Sequence, residues 1–127
     1  MNKNYRHFFT LIFILLVCSM SSCGKKKSEL LSKDWKATKL NLSGNEIGGD
    51  MISLEYSFKP DGNFSRTEDG KKEDGKWSLS EDGKKLELEL ADKTKVSKDV
   101  NELTETQLVL AGEEHSMMRT ETFEVKK

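Results

Sequence analysis

ISLEYSFKPDGNFSRTEDGKKEDGKWSLSEDGKKLELEL, residues 52–90, decides the fold class. Four Asp-Gly pairs punctuate it: Asp61-Gly62, Asp69-Gly70, Asp74-Gly75 and Asp82-Gly83. Asp-Gly is a strong hairpin signal, because Gly reaches positive φ without steric cost and Asp tolerates it. A turn is therefore expected at each pair. Between the turns the residues alternate. Ile52, Leu54, Tyr56 and Phe58 take turns with Ser53, Glu55, Ser57 and Lys59, which predicts a half-buried strand. In the next run Phe64 faces inward and Arg66 shares its parity. Trp77 and Leu79, then Leu86, Leu88 and Leu90, mark two more strands.

The pattern continues outward on both sides. Ser28 to Leu31 suits a single helical turn capped by Ser28, too short to matter greatly. Trp35 and Ala37 share one face, while Leu40 and Leu42 have the opposite parity, so a bulge is expected near Thr38-Lys39. Ser43 to Asp50 is Gly-rich and reads as a mobile loop. Thr94 to Val100 is a strand with Val96 and Val100 in register, and Leu103 lies in a polar connection. Leu108 and Leu110 mark a seventh strand, Ala111 to Glu114 a turn, and His115 to Val125 an eighth strand. Met117, Arg119, Glu121, Phe123 and Val125 share one face of that last strand. Eight short strands with regular turns indicate an all-β sandwich or barrel, and an eight-stranded meander can close on itself and remove its edges.

The N-terminus is a different kind of segment. Lys3 and Arg6 precede an apolar run from Phe8 to Val17, followed by small residues and Cys23. Basic, apolar, then small is the order of a secretory signal, and the run is short for a membrane span of ~20 residues. Ser21-Ser22-Cys23 resembles a bacterial lipobox, with Met20 where that pattern prefers Leu. The resemblance implies cleavage between Ser22 and Cys23 and attachment of fatty acyl chains, such as palmitate, to Cys23. Three segments follow: signal peptide 1–22, lipidated Cys and polar tether 23–29, and a β-barrel domain over 30–127. Loss of two of the 21 basic residues with the signal leaves 19 against 22 acids. No basic stripe extends beyond Lys25-Lys26-Lys27, which argues against nucleic acid. With Cys18 removed and Cys23 acylated, no thiol is left for a disulfide. In Bacteroidetes-type lipoproteins an acidic run after the cysteine accompanies export to the cell surface. Here Gly24-Lys25-Lys26-Lys27 stands instead, implying a cell-envelope protein held on the outer membrane and facing the periplasm.

Four motifs in order resemble the small lipocalin-like domain lipoproteins of the Bacteroidetes type. They are Leu31-Ser-Lys-Asp34-Trp35, then Tyr56-Ser-Phe58-Lys-Pro-Asp-Gly62-Asn-Phe64, then Gly75-Lys-Trp77-Ser-Leu79 with Leu86-Glu-Leu88, and Val100-Asn-Glu-Leu103-Thr104-Glu-Thr106-Gln-Leu108-Val109-Leu110. The resemblance implies an eight-stranded antiparallel up-and-down barrel. It also implies that the first-strand Trp35 stacks on an Arg of the last strand, for which Arg119 is the candidate.

Chemistry-bearing motifs are few. The sequence after residue 22 holds one His, His115, in a polar turn beside Glu113 and Glu114, and no nucleophile elbow. No catalytic residue, metal site or cofactor is expected. The candidate interior, lining a ligand site or filling a core, comprises Trp35, Tyr56, Phe58, Phe64, Trp77, Leu88, Met117, Arg119 and Phe123. An eight-stranded barrel is just wide enough to be filled by side chains or to hold one small ligand. Two functions follow: a lipid-anchored protein carrying a small hydrophobic ligand, or a non-enzymatic interaction module, such as an inhibitor or envelope-complex subunit, that binds an envelope protein through its loops. Cys23→Ser is expected to leave an unprocessed, unlipidated precursor; intact-mass measurement of the membrane fraction checks this, and normal processing would contradict it.

Overall fold

The computed structural model describes residues 27–127. Nine antiparallel strands follow in order: β1 Asp34–Leu42, β2 Asn45–Gly48, β3 Leu54–Phe58, β4 Asn63–Glu68, β5 Lys71–Leu79, β6 Lys85–Leu90, β7 Lys95–Leu103, β8 Gln107–Glu114 and β9 Met117–Val125. Each strand from β3 to β8 pairs with the next, and β1 pairs with both β3 and β9. Eight strands thus form a closed barrel. The ninth, β2, lies beside the far end of β1 and pairs only with it. The residues expected to form a mobile loop, Ser43–Asp50, instead make this hairpin and a 3-10 turn, Gly49–Met51. Ser43 and Gly44 both take positive φ, which reverses the chain in two residues so that β2 can return along β1.

Three of the four Asp-Gly pairs make turns. Gly62, Gly70 and Gly83 all have positive φ. Asp74-Gly75 does not turn; it lies within β5. Its glycine has a packing reason. A Cβ on Gly75 would overlap the Glu89 carbonyl oxygen and stand 2.8 Å from the Phe64 ring. The missing side chain lets that ring reach the barrel wall. The reversal expected at Ala111–Glu114 falls two residues later, at His115 and Ser116, both with positive φ. β8 therefore runs through Glu114, and β9 begins at Met117. Leu103, expected in a connection, ends β7.

β1 carries the expected bulge. Its register against β9 shifts between Ala37 and Lys39. That shift allows Trp35, Ala37 and Leu40 all to be buried despite their mixed parity.

One end of the barrel is closed. There Trp35, Phe58, Leu86, Leu108 and Phe123 are buried together. Tyr56 stacks on Phe58 at 5.2 Å between centroids and meets Phe123 edge-on at 5.4 Å. The helical turn at 27–31 caps this end and is more consequential than its length suggests. Leu31 is fully buried, and its carbonyl accepts the Trp35 indole N–H at 2.9 Å. Residues 27–29, assigned above to a tether, belong to this turn. Trp77 is half-buried rather than central; its indole N–H donates to the Lys59 carbonyl at 2.9 Å, and its ring meets Phe58 edge-on. Leu31→Ala should cost about 2–5 kcal/mol in urea unfolding, because it empties the plug under Trp35; a loss below about 1 kcal/mol would mean that the turn is not part of the core.

Candidate functional site

The other half of the barrel interior is ionic. Strand alternation carries Arg66 and Glu68 inward from β4, Lys98 from β7, Glu114 from β8, and Arg119 and Glu121 from β9. These six side chains form a closed ring of alternating charge. Arg66 donates from Nη1 to Glu114 at 2.9 Å and from Nη2 to Glu68 at 2.5 Å. Glu68 accepts in turn from Arg119 Nη2 at 2.5 Å. Arg119 Nε lies 3.7 Å from Glu121, Lys98 donates to Glu121, and Lys98 Nζ stands 3.4 Å from Glu114, which completes the circuit. Three cations face three anions, so the ring is formally neutral. Lys98 is 2% exposed, Glu121 0% and Arg66 6%. Charges buried this deeply persist only when paired and hydrogen-bonded.

The ring lies on the aromatic core. The Arg66 guanidinium stands 5.8 Å from the Tyr56 ring centroid, an arrangement that favours the cation electrostatically. Burial, with the Glu121 carboxylate, pushes the Tyr56 hydroxyl well above its ordinary pKa. Burial alone would lower the Arg66 pKa, but Tyr56, Glu114 and Glu68 together raise it above the ordinary arginine value. Burial likewise opposes the Glu114 charge, yet the Arg66 hydrogen bond and the charges of Lys98, Arg66 and Arg119 hold its carboxyl below the usual value. Space for the Lys98 stem comes from Gly112 on β8, where a Cβ would stand 3.1 Å from the Ser97 carbonyl and 3.5 Å from Lys98 Cγ. Among the described residues, four buried atoms at this level have no hydrogen-bond partner: Tyr56 Oη, Arg66 Nε, Arg119 Nε and Glu121 Oε2.

Above the ring the barrel opens into a cavity of about 600 Å³. One wall is apolar, made by Phe64, Leu88, Leu90 and Val96. The floor is Arg66, Glu68 and Glu114, and the rim carries Asp69, Lys71, Glu73, Lys95, Glu113 and His115. Such a site can hold a small molecule with an apolar body and a polar end. Among the described residues, no group of His, Cys, Asp and Glu is arranged to hold a metal ion.

The residues singled out from the sequence divide between these two halves. Trp35, Tyr56, Phe58 and Phe123 are buried in the closed end and fill it. Phe64 and Leu88 are buried where the core meets the cavity. Trp77 is half-buried on the β5 wall, beside Leu88 and Val96. Met117, expected inside, is 48% exposed at the β8–β9 turn, because β9 starts there and its first residues project past the rim. Arg119 does not stack on Trp35. Trp35 pairs with Val125 and Arg119 with Leu42, so they sit at opposite ends of β1, about 20 Å apart. Trp35 is capped by Leu31, and Arg119 belongs to the ring. Lys98, Glu114 and Glu121 were not singled out. Their signal was present: Lys98 falls between Val96 and Val100 on an inward parity, and Glu121 between Arg119 and Phe123. Ser22 and Cys23 lie outside the described residues.

A family model for the lipocalin-like domain matches residues 31–110. The fold is similar to the crystal structure of a lipocalin-like protein from Bacteroides uniformis ATCC 8492, with a TM-score of 0.61, 19% identity, and 76% of this chain and 99% of that one covered. It is also similar to that of an uncharacterized protein from Bacteroides eggerthii DSM 20697, with a TM-score of 0.59, 12% identity and the same coverage. At these identities the likeness is one of fold. No curated protein matches the chain.

The ring supports a stability test. Lys98→Met leaves the Glu121 carboxylate buried without its main partner and should cost about 3–5 kcal/mol in denaturant unfolding. Adding Glu121→Leu removes the orphaned charge and should restore most of that loss. A double variant no more stable than the single one would mean that the two side chains are not coupled.

Proposed function

Because the chain belongs to the lipocalin-like domain family, we propose that it is a lipid-anchored envelope protein binding a small amphiphilic ligand in the open half of its barrel. The observation that carries this reading is the cavity of about 600 Å³, apolar on its Leu88–Leu90–Val96 side and ionic on its floor. Its volume lies within the range usual for small-molecule sites, ~300–1,000 Å³. A purely hydrophobic ligand filling the whole barrel is not the best fit, since the closed half is already occupied by aromatic side chains. An apolar ligand body against Leu88, Leu90 and Val96 places its polar end near the ionic floor of Arg66, Glu68 and Glu114. Anchoring rests on Cys23 and its preceding Ser21-Ser22, and an outer-membrane, periplasm-facing position on Gly24-Lys25-Lys26-Lys27 standing where an acidic run would directly follow the cysteine.

One observation favours the interaction-module reading. Met51, Met117 and Met118 are all largely exposed on loops and strand ends. Methionine on an exposed surface adapts its shape to a protein partner.

Native mass spectrometry of residues 25–127, purified gently from a related bacterial host, tests the ligand reading. The expected result is a reproducible added mass that is lost on unfolding and abolished by Val96→Trp, whose indole fills the cavity. A bare polypeptide mass from both proteins would overturn ligand binding and leave the interaction module as the better account.

A further inference from the structure

The chain enters the barrel at a defined place. Lys27 donates from Nζ to the Asp82 carbonyl oxygen at 2.6 Å, across the β5–β6 turn. Lys33, six residues on, donates to the Glu105 carbonyl at 2.9 Å, in the β7–β8 turn. Between them Leu31 is buried under Trp35. Both turns belong to the closed end. The cavity rim is built from the opposite turns, β4–β5, β6–β7 and β8–β9, through Asp69, Thr94 and His115. The N-terminal entry and the cavity mouth therefore lie at opposite ends of the barrel.

Distance then sets orientation. Only four peptide units separate Cys23 from Lys27, and whatever their path they span at most ~14 Å. The strands of nine residues are ~30 Å long, and at a barrel tilt of ~35–45° they give a height of ~23 Å. An acyl chain on Cys23 cannot bring the mouth to the bilayer that holds the chain. On β5–β7 the outward positions of the flank are polar, among them Lys76, Ser78, Glu87, Glu89, Lys95 and Ser97.

We propose that the closed end of the barrel rests against the anchoring lipid surface and that the cavity mouth faces away from it. The orientation rests on the lipid-anchor reading of Cys23. It places Met117 and Met118, which are exposed beside the mouth, on the side remote from the anchoring bilayer. Ligand then enters and leaves through the aqueous side, or is passed by a partner there, and does not move laterally from the leaflet that carries the anchor.

The test uses the full chain, expressed so that it is processed, and reconstituted into phosphatidylcholine vesicles containing a headgroup-quencher lipid. Single-cysteine variants Glu81→Cys, at the closed-end β5–β6 turn, and Lys72→Cys, near the mouth, carry a thiol-coupled fluorophore. Floated vesicles should show severalfold stronger quenching at position 81 than at position 72. Equal quenching, or stronger quenching at 72, in protein that floats with the vesicles overturns the orientation and leaves the anchor intact. Failure to float overturns the anchor reading and the orientation with it.

Discussion

Closure of the sheet on β1 is the constraint from which the rest follows. β1 hydrogen-bonds β3 along one edge and β9 along the other. Once that ring is shut, strand parity assigns residues to the interior or to water, except where the β1 bulge shifts it and where β9 starts at the rim with Met117. The bulge between Ala37 and Lys39 is what makes closure compatible with burial of Trp35, Ala37 and Leu40. Without it, the second half of β1 would turn Leu40 outward. β2 then shields the far part of β1 that β3 does not reach.

The interior that closure creates is divided in two. At the closed end, stability comes from apolar burial: Leu31, Trp35, Tyr56, Phe58 and Phe123 exclude water in contact with one another. At the open end, six ionised side chains offset their desolvation against each other. An ion ring of this kind is a weak source of stability, since a well-packed apolar substitute is often as stable. Its physical effect is to hold polar groups at a fixed level inside the barrel. The cavity therefore has an ionic floor beneath an apolar wall, and Phe64 joins that wall to the aromatic core below. Glu68 and Glu114, each bridging two cations, tie β4 to β8 and β9 across the interior.

Much of this was legible in residue order. Alternation from Leu54 to Phe58 and from Leu86 to Leu90 matches β3 and β6, because a half-buried strand must repeat every two residues, whereas Ile52, expected in the same strand, ends the 3-10 turn before it. The bulge near Thr38 showed as a change of parity. Asp74-Gly75 was misleading because the same dipeptide serves two needs. Positive φ makes a turn at Gly70, whereas the absence of a Cβ admits the Phe64 ring at Gly75. The Ser43–Asp50 hairpin was hidden because Asn45–Gly48 is too short and polar to show alternation. Arg119 was placed on the correct face, but its partner depended on register, which separates it from Trp35 by the length of β1.

The sequence by itself determined the all-β class, the order of the barrel strands and the inward parity of Arg66, Lys98, Arg119 and Glu121, since local alternation and turn chemistry need no knowledge of distant residues. Tertiary structure alone decided that these charges meet Glu68 and Glu114 in one ring, that Leu31 rather than Arg119 covers Trp35, and that the cavity opens opposite the point where the chain enters. The physical reason is that ion pairing, plugging and closure are set by contacts between β1, β4, β7, β8 and β9, far apart in sequence, and their register is fixed only when the sheet closes.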